Sequence, residues 1–127
     1  MKHIGKIYII VSSAVITAIG LSYGLIPQNT MKALYGITVS DGNLIYILRA
    51  VMGLYLAQAV FWLVRVARGD LVSALQSQSV FLTGLILGRI LSLFIEGVPS
   101  FMLFFYLFGE MFFLVVNRFV FYRHRGE

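Results

Sequence analysis

The sequence predicts an all-α integral membrane protein: a four-helix transmembrane bundle, N-in/C-in, with a short interfacial helix or lid in the first outer loop. Three observations support this prediction. The 127 residues are 60% apolar and only 12% charged, a balance atypical of water-soluble domains. Four apolar stretches each reach the roughly 20 residues that a helix needs to cross a bilayer. The basic residues are unevenly distributed among the breaks between these stretches. We therefore treat residues 1–127 as a single transmembrane domain.

The distribution of basic residues predicts the orientation of the helices. The N-terminus, the second break and the C-terminal end contain Lys2, Lys6, Arg65, Arg68, Arg118, Arg123 and Arg125. The alternate breaks contain Lys32 alone. Because cytoplasmic loops are enriched in Lys and Arg, both termini and the middle loop are expected in the cytoplasm. The net charge of +5 then indicates contact with anionic membrane lipids, and we expect no nucleic-acid partner.

The first helix is predicted over residues 4–26, and Pro27 ends it because proline lacks the backbone N–H that a continuing helix requires. We interpret this stretch as a retained helix. Its apolar run is longer than the core of a signal peptide and has no clear small-x-small cleavage site. Gly20 and Gly24 form a small-xxx-small pair, which allows a neighbouring helix to approach closely within a membrane.

The outer loop at residues 28–42 is too apolar for a freely solvated linker. A short interfacial helix is predicted near residues 29–35, with Asn29 or Thr30 as its N-cap, and it would lie over the bundle as a lid. Residues 40–43 then provide a turn and a cap for the next helix.

The remaining helices are predicted at residues 44–66, 71–96 and 100–122. Gly97 and Pro99 separate the last two. Further small residues suited to close packing are Gly53 with Ala57 and Gly84 with Gly88.

Three ionisable residues are predicted at membrane depth. Arg49, Arg89 and Glu110 lie about 9, 10 and 15 Å from the outer ends of their helices, at 1.5 Å per residue. A charge at this depth costs about 2.5–3.5 kcal/mol, so such side chains normally face a bundle interior and find partners. We expect one or both guanidinium groups to reach the Glu110 carboxylate.

Helical spacing adds further polar residues to these three. Tyr46 accompanies Arg49, Ser92 and Glu96 share a face with Arg89, and Tyr106 shares a face with Glu110. The predicted ligand-binding pocket opens outward and comprises Arg49, Arg89, Glu110, Glu96, Tyr46, Ser92 and Tyr106. Gln58 and Gln78 are expected deeper inside, with Tyr23 near the mouth.

Catalytic and metal-binding signatures are lacking in the sequence. The chain has no cysteine, and its two histidines, His3 and His124, lie outside the apolar stretches. We therefore expect no metal and no cofactor. No paired carboxylates, histidine base or Ser-His arrangement is visible, so enzymatic catalysis is the least favoured role.

Several segments resemble a bacterial family of small four-helix integral membrane proteins that is classified only as a domain of unknown function. They are LRAVMGLYL at residues 48–56, GRILS at 88–92, Glu96-Gly97 with Pro99, Glu110, and GITVSD at 36–41. The resemblance covers most of the chain. It implies the fold and a multi-pass location in the bacterial inner (cytoplasmic) membrane, but no activity, substrate or site.

Three interpretations of the arginine and glutamate residues stay open: a structural ion-pair network, a binding site for an anion or lipid headgroup, and proton or ion translocation. We favour a binding or accessory protein that holds a lipid or small amphipathic anion, or that docks to a larger membrane complex. The alternative is a transporter or channel for small solutes, proton-coupled or not, built as a homo-oligomer.

Overall fold

The structure is a computed structural model that describes residues 2–125, apart from the Lys2 side chain. This range forms five helices: α1 (Lys2–Gly24), α2 (Pro27–Tyr35), α3 (Gly42–Ala67), α4 (Leu71–Glu96) and α5 (Phe101–Arg125). α1, α3, α4 and α5 are long and apolar enough to cross a membrane. The predicted all-α fold with four membrane-length helices is thus confirmed. Met1, Gly126 and Glu127 of the predicted domain lie outside the described residues.

The outward surface of these four helices is largely apolar. Phe94, Phe105 and Val115 are among the many large side chains that are exposed. Water-soluble monomers rarely expose continuous apolar patches of this kind, whereas the acyl chains of lipids solvate them. The chain is therefore a multi-pass membrane protein.

The break between α1 and α2 differs from the prediction. α1 stops before Pro27, because the residue that precedes a proline avoids helical backbone angles. Pro27 is the first residue of α2, and its N-cap residue, Ile26, provides no side-chain hydrogen bond. The prediction of Asn29 or Thr30 as N-cap is wrong. Thr30 lies inside α2, and its hydroxyl donates to the carbonyls of Ser22 at 2.6 Å and Ile26 at 3.0 Å.

Aspartates cap α3 and α4. The Asp41 carboxylate accepts the backbone N–H of Asn43 at 2.9 Å, within the predicted turn. The Asp70 carboxylate accepts the backbone N–H of Ser73 at 3.1 Å and lies 3.5 Å from Arg65. The hydrogen bonds from Ser73, followed by the charge of Arg65, hold the pKa of Asp70 below its usual value. These caps satisfy N–H groups that the first turn of a helix leaves unpaired.

The two glycines of α1 bring this helix close to α3. A Cβ atom on Gly20 would lie 2.8 Å from Cβ of Tyr55. One on Gly24 would lie 2.6 Å from Cβ of Met52 and 3.0 Å from Cα of Arg49. Such distances leave no room for a methyl group, so the close approach depends on the absence of side chains at both positions.

The other small residues do not serve this purpose within the chain. An added Cβ at Gly53, Gly84 or Gly88 would meet no described atom within 4 Å, and Ala57 is exposed. The predicted packing at these four positions is therefore not an internal one. α3 presents a different stripe to α1, so Gly53 and Ala57 face outward.

The four long helices form a ring in the order α1, α3, α4, α5, and α2 packs against α1 and α5. Gly5 lies against Leu71 at the start of α4 and Val120 near the end of α5. The start of α1, the end of α5 and the α3–α4 turn therefore share one end, which we call the basic end because it includes Arg65, Arg118 and Arg123. The opposite end carries α2 and the α4–α5 connection.

Candidate functional site

An ion pair between α4 and α5 forms the centre of the candidate site. Nε of Arg89 donates to both carboxylate oxygens of Glu110, at 2.9 and 3.1 Å, and Nη2 lies 2.9 Å from Oε1. Glu110 is only 5% exposed, and the Arg89 side chain is 20% exposed. A guanidinium that presents two N–H groups to one carboxylate is among the stronger pairings in proteins. The prediction that an arginine reaches Glu110 is met by Arg89.

Tyrosines from three helices surround this arginine. Nη2 of Arg89 also donates to the Tyr23 hydroxyl at 3.3 Å, and the Tyr106 ring centre lies 5.8 Å from the guanidinium carbon. The Tyr55 ring packs edge-on against Tyr23, with 5.4 Å between ring centres. The electron-rich ring faces and the hydroxyl offer the cation partial solvation where water is scarce.

α2 covers these tyrosines at the end of the bundle that lies opposite the basic end. The Tyr35 hydroxyl lies 2.9 Å from the Tyr106 hydroxyl and 2.9 Å from Oγ of Ser22. Burial raises the pKa of Tyr35, so its hydroxyl keeps its proton at neutral pH. One side chain of α2 thereby links α1 and α5 above the ion pair.

Arg49 and Tyr46 lie apart from Glu110. Nε of Arg49 donates to the backbone carbonyl of Gly24 at 3.2 Å. This carbonyl belongs to the last residue of α1, where carbonyls lack helical partners and the helix dipole favours a cation. Tyr46 is 80% exposed. The buried stripe of α3 contains Tyr55, and Tyr46 falls outside it.

A groove between α4 and α5 adjoins the ion pair. We call it the α4–α5 groove; it measures about 540 Å³, and its lining includes Gly88, Arg89, Ser92, Glu96, Leu103 and Leu107. Pockets of this size hold small molecules. Nη1 of Arg89 makes no hydrogen bond to any residue in the range 2–125. The Arg89 side chain therefore lines the largely apolar α4–α5 groove and has an N–H donor that is not used.

A second cavity lies on the other side of the ion pair, between α1 and α5. It measures about 400 Å³, and its lining includes Ser12, Gln78, Leu82, Tyr106, Glu110 and Phe113. Arg89 lines the α4–α5 groove whereas Glu110 lines this cavity. The ion pair is therefore part of the partition between the two spaces.

A buried polar network lies between this cavity and the basic end. The Gln78 amide donates to Oγ of Ser12 at 2.7 Å. The Asn117 amide donates to Oε1 of Gln78 at 2.8 Å and to the Leu75 carbonyl at 3.0 Å. Hydrogen bonds between helices of this kind stabilise a bundle in lipid, where unpaired polar groups are costly.

Sequence reasoning did not single out Ser12, Ser22, Tyr35 or Tyr55 as members of these clusters. A signal for Tyr55 exists, since it shares a stripe with Ala59 and Trp62 at helical spacing, and all three are buried. Ser12 and Tyr35 carry no comparable signal. Among the residues that the structure describes, no three His, Asp or Glu side chains lie together as metal ligands would.

The model of one family, the domain of unknown function DUF4345, matches residues 4–121 of the chain. The chain belongs to the DUF4345 family. The DUF4345 match includes every residue of the candidate site, from Ser12 to Asn117. No curated protein and no solved structure matches the chain. The resemblance to a family of unknown function is confirmed, and DUF4345 membership assigns no ligand or reaction.

Proposed function

We propose that this DUF4345 protein is a membrane binding protein that holds an amphiphile in the α4–α5 groove through a phosphate or carboxylate group of its headgroup. The observation that supports this most directly is that Arg89 lines a largely apolar groove of about 540 Å³ while its Nη1 has no hydrogen-bond partner among residues 2–125. Ionisable residues within a membrane bundle are expensive and commonly mark binding sites or pathways. A purely structural ion pair needs neither an open groove nor an unused donor.

Arg89 keeps binding capacity although it is already paired. A guanidinium has five N–H groups, and Nε and Nη2 account for all hydrogen bonds to Glu110 and Tyr23. The two N–H groups of Nη1 remain for a phosphate or carboxylate oxygen. The ion pair holds the guanidinium in place, so a ligand would meet a pre-positioned donor.

The rest of the α4–α5 groove suits an acyl chain. Leu85, Leu103 and Leu107 line its two walls, and each methylene group buried there contributes about 0.8 kcal/mol. Because the groove lies between two membrane-spanning helices, an acyl chain can enter it sideways from the bilayer. The ligand class that fits is a membrane lipid or a related single-chain amphiphile.

We also propose an orientation of the helix bundle in the membrane. The basic end would face the cytoplasm, following the positive-inside rule, in the inner membrane of a bacterium. The α4–α5 groove would then open to the outer leaflet, and α2 would lie at the outer interface as a lid over Tyr106 and Arg89.

Cysteine labelling tests this topology, since the chain has no cysteine of its own. Thr38→Cys and Ala67→Cys introduce single thiols at exposed positions at opposite ends of the bundle. In intact cells, a membrane-impermeant maleimide is expected to label Thr38→Cys and to label Ala67→Cys only after the membrane is opened. The reverse pattern would contradict the topology.

A groove-filling substitution tests ligand binding without touching the ion pair. Gly88→Leu places a side chain in the α4–α5 groove, where an added Cβ atom would meet no described atom within 4 Å. Native mass spectrometry of the detergent-solubilised protein, titrated with phosphatidylglycerol, is expected to show lipid bound to the wild type and at least about tenfold weaker binding to Gly88→Leu.

Gly53→Leu is the matched control, because Gly53 is equally exposed but lies on α3, outside the groove. It should bind lipid as the wild type does. Equal binding by all three proteins would refute the proposal. The same spectra report the oligomeric state, so a wild-type oligomer that Gly88→Leu dissociates would instead favour docking through the Gly84 and Gly88 face.

One observation favours a transporter or channel as the second candidate. The cavity between α1 and α5 extends from Tyr106 and Glu110 toward Ser12 and Gln78. The surface that lines this cavity is apolar, so it provides space beside the ion pair but no polar path. Transport would therefore require polar groups to turn into this cavity and the hydrogen bonds of Gln78 and Asn117 to open.

A further inference from the structure

The rim of the α4–α5 groove carries a carboxylate without a partner. Glu96 is the last residue of α4, is exposed, and lines the groove. It makes no hydrogen bond and no ion pair with the part of the chain that the structure describes. The C-terminal end of a helix carries a partial negative charge of about half an elementary charge, so a carboxylate there is electrostatically unfavourable. A cation at this position would pair with the Glu96 carboxylate and would also offset the negative charge at the end of the helix.

Glu96 and Arg89 place opposite charges along one wall of the groove. They are separated by two helical turns, which is about 10 Å along the helix axis. Ser92 lies between them on the same face, and its hydroxyl has no hydrogen-bond partner in residues 2–125. Beyond these three side chains, the lining is apolar or backbone. From rim to depth along α4, a ligand would therefore meet a carboxylate, a hydroxyl, a guanidinium and then Leu85, while Leu103 and Leu107 on α5 form the facing wall.

We infer that the ligand is a zwitterionic phospholipid with a primary ammonium group, of the phosphatidylethanolamine class. This inference rests on the proposed function and adds the headgroup chemistry. The ammonium group donates to Glu96 at the rim, while the phosphate accepts from Ser92 and from Nη1 of Arg89. An acyl chain follows the leucines. A purely anionic headgroup would leave Glu96 unpaired and place a second negative charge near it.

The order of the groups along the groove supports this choice. In such a lipid the ammonium group is the outermost group, the phosphate follows, and the acyl chains are deepest. Along α4 the groove presents complementary groups in the same order, from Glu96 toward Leu85. A quaternary ammonium has no N–H to donate to Glu96, so phosphatidylcholine should bind less well than phosphatidylethanolamine.

Competition between defined lipids tests the inference. Phosphatidylethanolamine, phosphatidylcholine and phosphatidylglycerol of identical acyl chains are titrated into the purified protein, and native mass spectrometry reports each bound fraction. The wild type is expected to prefer phosphatidylethanolamine over phosphatidylglycerol by about tenfold, the effect of one charge-assisted hydrogen bond. Glu96→Gln should abolish that preference while phosphatidylglycerol still binds.

Asp41→Asn is the matched control, because it neutralises another exposed carboxylate at the same end of the bundle and asparagine also caps helices well. It should keep the preference for phosphatidylethanolamine. A wild type without this preference, or a preference that survives in Glu96→Gln, overturns the inference. The proposed function is judged separately, since it fails only if Gly88→Leu leaves lipid binding unchanged.

Discussion

Replacement of Glu110 by leucine is expected to lower the free energy of unfolding by about 3–5 kcal/mol, because Arg89 is left inside the bundle without its carboxylate. Replacing both partners, in Arg89→Leu/Glu110→Leu, should recover most of this loss, since two leucines need no charged partner. The measurement is reversible unfolding in mild detergent, followed by tyrosine fluorescence or circular dichroism as a denaturing detergent is added.

Glu96→Leu provides the control for this cycle. It makes the same chemical change at an exposed carboxylate that has no partner in the described structure, so we expect a shift within about 0.5 kcal/mol. If Glu110→Leu and Glu96→Leu were equally mild, the ion pair would contribute little to holding α4 against α5. Recovery in the double variant would show that the pair is dispensable for folding, as expected if its role is functional.

The second large effect is expected at the contact between α1 and α3. Gly24→Ala places a Cβ atom 2.6 Å from Cβ of Met52 and 3.0 Å from Cα of Arg49. The second of these is a backbone atom and cannot rotate away, so the helices must separate. We expect a loss of about 1–3 kcal/mol in the free energy of unfolding, the usual cost of overpacking, in the same assay.

Gly53→Ala is the control for this substitution, because its Cβ meets no described atom within 4 Å. In water, alanine favours a helix over glycine by about 1 kcal/mol, so Gly53→Ala should be neutral or slightly stabilising. Equal losses at both positions would indicate a general intolerance of glycine replacement and would contradict the close contact as the cause.

The four long helices follow from the sequence because lipid imposes a simple requirement of about 20 apolar residues per crossing. The α2 helix was also predictable, since Met31 and Tyr35 make its segment too apolar for open solvent. Its N-cap was not. Pro27 suits the first helical position because it has no N–H to satisfy and its φ angle is already helical, so the helix begins before Asn29 and Thr30.

The Arg89–Glu110 pair was predictable for an energetic reason: charges at membrane depth must find partners. The positions of Arg49 and Tyr46 were not predictable from the sequence. α3 is apolar on every side, so hydropathy does not say which face it turns inward. Its rotation is set by the contact of Met52 and Tyr55 with the glycines of α1, and that contact depends on residues about 30 positions away in the chain.

The small residues have two different roles, and which role each has again depends on contacts that are distant in the sequence. Gly24 and Gly88 lie in similar small-xxx-small patterns, yet one meets a neighbouring helix and the other lines a groove. The pattern indicates that a close approach is permitted. Whether a helix occupies that space depends on how the ring of helices closes, which the local sequence does not encode.

The position of the ion pair also bears on how the chain enters the membrane. Arg89 and Glu110 are 21 residues apart on consecutive helices, so α4 and α5 can insert as a hairpin in which the two charges already neutralise each other. Each charge alone would cost about 2.5–3.5 kcal/mol on insertion. α1 and α3 need no such ion pair between them. They can associate through Gly20 and Gly24 while the ribosome is still synthesising α4 and α5. Biogenesis would then proceed as an apolar pair first and a mutually neutralised hairpin second.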